Sequence, residues 1–392
     1  MSGSIERDGL IAELIAWQPA AAADPGAIRV VRAPGRVNLI GEYTDVNDGL
    51  VLPAAIDREI RIAYVATADR RVELKRLDDG DIGGFALDER RPRTGTWPDY
   101  VAATAWALGE AGLATTGLRG VIGSSLPENA GLSSSAAIEL ASAWVLLGEG
   151  AAAVDRLALA RICQRAENGY VGVQSGLMDQ FASSCGIAGS ALLLDCRSTD
   201  WRAVGLPDDV ALVVCHTGAP RRLGSSEYNV RRAQCEAAVA GIRAVDPAVR
   251  SLRDVTSELL AEARPALDPV VARRAEHVIA ENGRVMDTLA AFEAGDLAAI
   301  GALFAAGHAS LRDLFEVSSI ELDALVEIAS AVPGVVAARM TGAGFGGCTV
   351  NLVRPDAIAA LSAAVLRDYP TRTGLRPMVL PVAPADGASE LV

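Results

Sequence analysis

The sequence predicts an α+β fold with two lobes, and three observations support this prediction. Strand and helix signals alternate in the first half, long helical patterns dominate the second half, and strand patterns return near the C-terminus. With 392 residues and 51% hydrophobic composition, the chain is long enough for two domains with cores. Composition shifts near Pro207, which predicts an N-terminal domain over residues 1–206 and a C-terminal domain over residues 207–392.

The first half is predicted to be rich in sheet. Apolar residues before Trp17 predict an amphipathic helix at the start of the chain. Runs rich in β-branched residues predict strands over residues 27–33, 59–68, 72–75 and 121–124. Alanine-rich runs at helical spacing predict helices over about 97–109, 135–148 and 152–168.

The second half is predicted to be rich in helix. Helical patterns cover residues 225–245, 268 to about 331, and a further stretch to about 368. Strand patterns cover residues 211–216, those before 341, 348–353 and 378–382. Asp268 before Pro269 marks a helix start, and Ser318 with Glu321 suggests a capping box.

Charge and cysteine content narrow the class of protein. A net charge of −13 argues against a nucleic-acid or anionic-membrane surface, since both partners need basic patches. The six cysteines form no C-x-x-C pair and are predicted to be reduced thiols, which favours the cytoplasm. No basic segment precedes the first helix, and no apolar run approaches the roughly 18 residues of a membrane span. Neither secretion nor membrane insertion is supported.

Histidine catalysis is not expected. His216, His277 and His308 are far apart, and none lies beside a serine or cysteine in a G-x-S-x-G context. Acid–base or electrostatic work then falls to Asp, Glu, Arg or Tyr side chains.

Small residues in LPENAGLSSSAAIELA, residues 126–141, lead directly into an alanine-rich helix, and we call residues 131–136 the serine turn. Free N–H groups and the positive end of the helix dipole let a polyphosphate approach the backbone there. The residues that permit this approach are Gly131, Ser133, Ser134 and Ser135. A Walker loop is excluded because the single lysine of the chain is Lys75. By themselves the serines are also typical of a helix N-cap.

A second segment, the polar turn over residues 33–56, is dense in polar side chains. They are Arg36, Asn38, Glu42, Tyr43, Thr44, Asp45, Asn47 and Asp48. Carboxylates so close together need a ligand or partner, and sugar hydroxyls donate readily to carboxylates. The alternative is a solvated loop in which Arg36 caps carbonyl groups.

Two further segments carry candidate features. The glycine turn over residues 340–350 has four glycines, which indicates positive φ angles or close backbone approach. A strand follows it, so a dinucleotide-binding fingerprint is rejected, and taken alone the turn is typical of a tight hairpin. Residues 166–186 contain Glu167 and Asp179. Asp179 lies among apolar residues, which makes it a candidate site residue, with a helix N-cap as the alternative.

These segments, in this order, resemble the galactokinase branch of the GHMP small-molecule kinases. APGRVNLIGE, LPENAGLSSSAA and TGAGFGGC match the three motifs of the family, and MDQF and SSEYNVRRAQC match in addition. The resemblance covers essentially the whole chain. It implies a ribosomal-protein-like N-terminal α/β domain, a ferredoxin-like C-terminal domain, and ATP and sugar in the cleft between them. The implied reaction is phosphorylation of the C1 hydroxyl of galactose, in galactose catabolism.

The resemblance also implies roles for individual residues. Asp179 corresponds to the catalytic aspartate, and Arg36 to the arginine that stabilises charge between the sugar hydroxyl and the γ-phosphoryl group. Ser135 and Glu167 correspond to Mg²⁺ ligands. The implied sugar contacts are Glu42, Tyr43, Asp45, Gly176 and Tyr228. The implied ATP contacts are Gly131, Leu132, Ser133, Ser134, Ser135 and Ala136, with Trp97 and Tyr100 near the adenine. Core packing is the alternative for these two aromatic residues.

One departure bears on the identity of the sugar. The family motif usually reads G-E-H-T-D-Y, whereas this chain reads GEYTDV, with Tyr43 and Val46 at the exchanged positions. The phenol still donates and accepts hydrogen bonds. Galactose is the expected substrate because the other sugar-site residues of the family persist, namely Glu42, Asp45, Asp179 and Tyr228. N-acetylgalactosamine, galacturonate and arabinose are alternatives, and a non-catalytic sugar sensor on the same fold is a third. A monomer that binds ATP, Mg²⁺ and a small sugar is expected.

Overall fold

Five strands of the first half and one from the end of the chain form a six-stranded sheet in the computed structural model, which describes residues 5–89, 91–127, 130–219 and 224–391. Three further strands of the first half form a small sheet of their own. The described strands are β1 (Arg29–Asn38), β2 (Leu50–Val51), β3 (Pro53–Thr67), β4 (Arg71–Arg76), β5 (Ile82–Ala86), β6 (Gly117–Ser124), β7 (Ser190–Asp195), β8 (Trp201–Gly205), β9 (Ala211–His216), β10 (Val335–Thr341), β11 (Cys348–Val353), β12 (Met378–Val382) and β13 (Ser389–Leu391). The described α-helices are α1 (Arg7–Trp17), α2 (Pro98–Glu110), α3 (Ser134–Leu147), α4 (Arg156–Ala166), α5 (Met178–Cys185), α6 (Gly224–Ile242), α7 (Ser257–Ala263), α8 (Pro269–Ala294), α9 (Leu297–Asp313), α10 (Ile320–Ser330) and α11 (Ile358–Thr373).

The large sheet has the order β13-β1-β3-β6-β4-β5, and its neighbouring strands are antiparallel except for β4 and β6. The pairing of β1 with β3 shifts register between Pro34 and Arg36. A bulge of this kind bends the strand and redirects the side chains that follow it. Helix α3 packs on β1 and β3, so the redirected end of β1 lies next to the start of that helix.

Helix α3 is a core helix. Its small alanine side chains let α2, α4 and α5 pack against it. Among the described residues, one helical segment, Ser134–Ala153, is long enough and apolar enough to cross a membrane. However, 61% of its most apolar window is buried inside the protein. The prediction that no apolar run reaches this length is therefore wrong, because a helix with neighbours packed on several sides is apolar over most of its surface.

The second half contains a four-stranded antiparallel sheet in the order β10-β11-β9-β12. Helices α9 and α10 pack on β10, α11 packs on α10 and β12, and α8 packs on α6 and α9. The predicted strands over 211–216, 348–353 and 378–382 are confirmed at these bounds. The glycine turn joins β10 to β11, as the hairpin interpretation expects.

The two predicted helix caps have different outcomes. Asp268 accepts hydrogen bonds from two first-turn N–H groups of α8 at 2.8 and 3.3 Å, which confirms the predicted start. The capping box at Ser318 is wrong, because Ser319 is the N-cap of α10 and accepts from the N–H of Leu322 at 3.3 Å. The hydroxyl of Ser318 donates to Asp323 at 2.6 Å instead.

The largest cluster of buried apolar side chains runs through both halves of the chain. It includes Val31 of the first half together with Phe304 and Leu352 of the second. Strand β13, at the end of the chain, returns to the first sheet and pairs with β1. The predicted boundary falls between β8 and β9, which belong to different sheets. The division into residues 1–206 and 207–392 stays a prediction, since the halves share one core.

Candidate active site

The serine turn lies at the N-terminus of α3. Gly131 and Ser133 have φ angles of 72° and 59°, left-handed values that glycine adopts freely and serine rarely. Ser133 occupies the N-cap position, yet its side chain makes no cap hydrogen bond. The first-turn N–H groups of a helix, here from Ser134 to Ala136, have no intrahelical partner. The turn therefore keeps the donors that an anion would bind.

Arg36 and Asp179 form an ion pair next to this turn. Nη2 and Nε of Arg36 lie 2.6 and 2.8 Å from Oδ1 of Asp179. Ser133 donates to Oδ2 of the same carboxylate at 2.5 Å. Arg36 also donates from Nη1 to the carbonyl of Gly131 at 2.8 Å, and its backbone N–H donates to Leu132 at 3.1 Å. The arginine thus joins the end of β1, the serine turn and the aspartate.

Asp179 is only partly enclosed. It lies in the first turn of α5, whose N-cap is Leu177, so the N-cap alternative for Asp179 is wrong. Its side chain is 23% exposed, whereas that of Arg36 is 5% exposed. The carboxylate is therefore open on one side while the guanidinium is buried around it.

Three predicted sugar contacts lie close to this pair. A Cβ on Gly176 would lie 2.0 Å from Oδ2 of Asp45, so a larger residue has no room there. Burial and the neighbouring charge of Asp179 raise the pKa of Asp45 to about 6, while Arg36 opposes this. Burial also raises the pKa of Tyr228, whose phenol is near Asp45 and hydrogen-bonds the backbone of Gly176. Carboxylates and a phenol thus converge beside the ion pair.

Glu42 lies deeper, in a buried contact between the two halves. Its side chain is 1% exposed, and Oε2 accepts a hydrogen bond from Arg339 at 2.5 Å. Burial raises the pKa of Glu42 to about 7, and the Arg339 guanidinium opposes this. Sequence reasoning missed Arg339 because it is 297 residues away in the chain. In the sequence, the one indication of a role for Arg339 was its position directly before the glycine turn.

Tyr43 faces the glycine turn. Its hydroxyl donates to the carbonyl of Ala343 at 2.6 Å, and its side chain is buried. The ring centroid lies 5.2 Å from that of Tyr228, in a stacked arrangement, and 4.4 Å from that of Phe315. A direct contact between Tyr43 and the sugar stays a prediction. In the structure, Tyr43 contacts Tyr228, which is itself a predicted sugar contact.

Glu167 is the carboxylate best arranged for a cation beside the serine turn. It is buried and accepts hydrogen bonds from Ser135, Ser175 and Gln180, the last at 3.0 Å. Burial raises the pKa of Glu167, and the charge of Asp179 adds to this. Crowded carboxylates fit a divalent cation, which completes its shell with water and phosphate oxygens. No group of three His, Cys, Asp or Glu side chains forms a closed metal site within the described residues.

Glu139 is a second buried carboxylate in this region, and sequence reasoning missed it. The amide nitrogen of Gln180 donates to Glu139 at 2.9 Å and to Glu167 at 3.0 Å. Burial raises the pKa of Glu139 well above its usual range, and the charge of Glu167 adds to this. Its spacing of four residues from Ser135 places both on one side of α3, which is the signal that could have found it.

A cavity of about 220 Å³ lies beside the serine turn. Trp97, Tyr100, Ser134 and Ser135 line it. Further lining residues are Ile60, Ile122, Leu126 and Ile138. The indole of Trp97 donates to Asp81 at 2.8 Å, which orients the ring. Tyr100 also packs against the main core, so packing and cavity lining coexist, and the adenine contact stays a prediction.

The glycine turn packs directly on the serine turn. A Cβ on Gly342 would lie 3.1 Å from the carbonyl oxygen of Gly131, and one on Gly347 would lie 3.1 Å from that of Ala130. Both glycines have positive φ angles, of 79° and 87°. This hairpin is therefore also a wall of the site, contributed by the second half.

Known families match this arrangement over most of the chain. The galactokinase galactose-binding signature matches residues 21–65. The GHMP kinases N terminal domain and the GHMP kinases C terminal domain match residues 99–187 and 288–371. A galactokinase of Roseiflexus sp. (strain RS-1) is 42% identical over 371 residues, which is 93% of each chain. The chain belongs to the galactokinase family. A galactokinase of Chloroflexus aurantiacus is 43% identical over 369 residues, 90% of this chain and 91% of that relative.

Solved structures agree with this family. Lactococcus lactis galactokinase, solved in complex with galactose, matches with a TM-score of 0.91 and 34% identity, over 97% of this chain and 100% of that one. Methanococcus jannaschii mevalonate kinase matches with a TM-score of 0.66 and 16% identity, over 91% and 98% of the two chains, which concerns the fold alone. The predicted two-lobed GHMP kinase fold and the predicted kinase class are confirmed.

Proposed function

We propose that this galactokinase-family protein transfers the γ-phosphoryl group of ATP to the C1 hydroxyl of D-galactose, with galactose 1-phosphate and ADP as products. The observation that carries this proposal is the ion pair of Arg36 with Asp179 between the serine turn and the carboxylate of Asp45. A phosphate-binding turn and a sugar-binding group thus flank one acid–base pair. The galactose complex of the Lactococcus lactis relative supports the choice of sugar.

In the proposed reaction, Asp179 and Arg36 divide the work. The C1 oxygen bonds to the γ-phosphorus as the bond from that phosphorus to the bridging β,γ-oxygen breaks, and Asp179 accepts the hydroxyl proton. Arg36 stabilises the charge that develops between the two oxygens. Little covalent chemistry remains for the protein, so positioning and charge neutralisation supply most of the rate.

The nucleotide would bind along the serine turn and in the adjoining cavity. The proposed contacts are Gly131, Leu132, Ser133, Ser134, Ser135 and Ala136 for the phosphates, and Trp97 and Tyr100 for the adenine. Ser135 and Glu167 would hold Mg²⁺, which when bound neutralises phosphate charge. A hydrogen bond from Ser135 to Glu167, which lowers the pKa of this carboxyl, supports the assignment.

Glu42, Tyr43, Asp45, Gly176 and Tyr228 are the proposed sugar contacts. Tyr43 stands where the family usually has histidine, and this exchange keeps a related sugar as the second candidate substrate. We also propose a monomer in the cytoplasm. The prediction of reduced thiols rests on the absence of C-x-x-C pairs among the six cysteines, and it supports a reducing compartment.

A sugar panel and two variants test the proposal. In a coupled ADP-release assay, we expect turnover of galactose that depends on Mg²⁺ and ATP. Asp179→Asn should lower kcat by at least about a hundredfold with sugar and ATP binding retained, because a positioned base contributes about that much. Arg36→Ala should also lower kcat severely, because it removes the charge that stabilises the transition state. Asp69→Asn is the control, since Asp69 pairs with Arg119 on the surface.

Three other outcomes would each change the proposal. Robust turnover of another sugar without turnover of galactose would assign the second candidate. Sugar binding without turnover of any sugar would indicate a sensor. Near-normal turnover by Asp179→Asn would remove its assigned role.

A further inference from the structure

Three charged side chains are enclosed where the two halves of the chain meet. Glu42 comes from the polar turn, Arg339 from β10 and Glu281 from α8. None of them is more than 1% exposed. Nη2 of Arg339 donates to Glu42 at 2.5 Å and to Glu281 at 2.8 Å. Desolvation offsets most of the attraction within a buried ion pair, so stability alone does not account for the cluster.

The two carboxylates of this cluster are not equally satisfied. Glu281 accepts hydrogen bonds from Arg339, from the backbone N–H of Gly41 at 3.1 Å and from Arg284 at 2.6 Å. Oε2 of Glu42 accepts from Arg339, and the backbone N–H groups of Glu42 and Gly342 also help to lower the pKa of the Glu42 carboxyl. Oε1 is buried and accepts no well-aligned hydrogen bond among the described residues. A buried acceptor without a donor is unfavourable. Oε1 of Glu42 therefore retains capacity for one more donor, which must approach it within the closed contact between the halves.

Arg339 is enclosed by its neighbours, and Nη2 is the nitrogen of its guanidinium that hydrogen-bonds, whereas Nε and Nη1 have no partner among the described residues. Its guanidinium lies 5.8 Å from the centroid of the Phe304 ring, within the range of a cation–π contact. A Cβ on Gly307 would lie 2.7 Å from Nη1, so the guanidinium fills the space above that glycine. Glu281 accepts from Nη2, the nitrogen that also donates to Glu42. The position of the Glu42 carboxylate thus follows from that of Arg339.

We propose that Arg339 is a positioning residue for sugar binding, which holds one oxygen of Glu42 so that the other accepts a hydrogen bond from a sugar hydroxyl. This inference rests on the proposed function, in which Glu42 contacts the sugar. Arg339 belongs to the second half and Glu42 to the first, so sugar recognition depends on a contact between the halves. Arg339 itself does not touch the sugar.

Binding of galactose and its 2-, 3-, 4- and 6-deoxy derivatives, measured by calorimetry, tests the inference. The selectivity ratio is the Kd of a deoxygalactose divided by the Kd of galactose. Glu42→Gln should lower this ratio about tenfold for one derivative, because a hydrogen bond to a charged acceptor is lost. Arg339→Lys should lower the same ratio by about threefold or more and leave the others within about twofold. The double variant should fall no further than Glu42→Gln, since the two residues act together.

Arg274→Lys is the matched control. Arg274 is equally buried and pairs with Glu316, outside the Glu42 cluster, so its loss should cost stability and leave all ratios unchanged. Arg339→Gln replaces Arg339→Lys if the latter does not fold. The inference would be overturned if a folded Arg339 variant changed the selectivity ratios of all four deoxygalactoses equally. It would also be overturned if such a variant changed none of these ratios. Absence of galactose turnover by the wild type, with binding intact, would overturn the proposed function and leave this test in force.

Discussion

Tyr43 combines an unfavourable backbone with several favourable contacts. Its φ angle of 66° is left-handed, which costs a residue other than glycine about 1–2 kcal/mol. The hydrogen bond to Ala343 and the contacts with Tyr228 and Phe315 offset this cost. Because the hydroxyl is bonded to a carbonyl of the glycine turn, the ring is what connects Tyr43 to the sugar side.

Two substitutions separate the hydroxyl of Tyr43 from its ring. Tyr43→Phe removes the hydrogen bond to Ala343 and keeps the ring, so we expect a loss of about 0.5–1.5 kcal/mol in unfolding free energy and unchanged sugar selectivity. Tyr43→His removes the stacking on Tyr228 and should change the ranking of galactose against 2- and 6-substituted analogues by roughly threefold to tenfold, mainly in KM. Urea denaturation and steady-state kinetics measure the two effects.

A changed ranking in Tyr43→Phe would mean that the hydroxyl reads the sugar directly. Equal changes for every sugar in Tyr43→His would mean that the residue only supports the loop. The two variants therefore assign the role of Tyr43 to its hydroxyl, its ring or neither.

Element length explains much of what the sequence could predict. Strands β9, β11 and β12 are apolar runs with clear ends, and the sequence predicts their bounds. Short or partly exposed elements such as β5, β8 and α5 give weak periodicity and were not predicted. The predicted helix over 152–168 is divided, because Asp155 caps α4 and a π-helical turn, Glu167–Val171, follows it.

The candidate site was predictable where a motif is local. Asp179 and Arg36 are 143 residues apart, yet each lies in a distinctive segment, so the motifs identify both. Glu139, Glu281 and Arg339 lie in helices and strands with ordinary periodicity. Their roles depend on contacts between distant elements, and one sequence without a structure does not contain that pairing.

The segment around Gly176 packs closely against Asp45, and this contact gives a testable prediction. Gly176→Ala would place a methyl group 2.0 Å from the original position of Asp45 Oδ2, so the carboxylate must move. A displacement of about 1 Å in an active site costs up to about a hundredfold in rate, and we expect kcat/KM for galactose to fall at least about tenfold. Steady-state kinetics with galactose measures this.

Gly283→Ala is the control for that substitution. Gly283 lies within α8, and an added Cβ would meet nothing within 4 Å. Alanine there should raise the unfolding free energy by about 0.5–1 kcal/mol and leave the kinetics unchanged. Normal kcat/KM in Gly176→Ala would show that Asp45 is free to move without consequence for the sugar.

At the scale of the whole molecule, the two halves share both core and site. The main apolar cluster includes residues of both, and β13 brings the end of the chain back to β1. The hydroxyl of Thr341 in β10 hydrogen-bonds the backbone N–H and C=O of Asn38 at 2.9 Å each. Neither half can therefore be removed without exposing apolar surface and unpaired polar groups of the other.

This shared core predicts that the two halves unfold together. Every one of the five tryptophans, Trp17, Trp97, Trp106, Trp144 and Trp201, lies before residue 207, so their fluorescence reports on the first half. The longest helices, α6, α8, α9 and α11, belong to the second half and dominate far-ultraviolet circular dichroism. We expect the two signals to give coincident transitions in reversible urea denaturation, which is the test for a single cooperative unit.

Separate transitions would instead mean that each half is an independent folding domain, with the boundary near residue 207 that the composition suggests. In that case the apolar cluster shared by the two halves would contribute less to their coupling than its burial implies. Adding galactose and MgATP distinguishes the cases further, since ligands bound by both halves shift a single transition as a whole to higher urea. In a protein with independent halves, the same ligands would bring the two transitions closer together, because the site requires both halves to be folded.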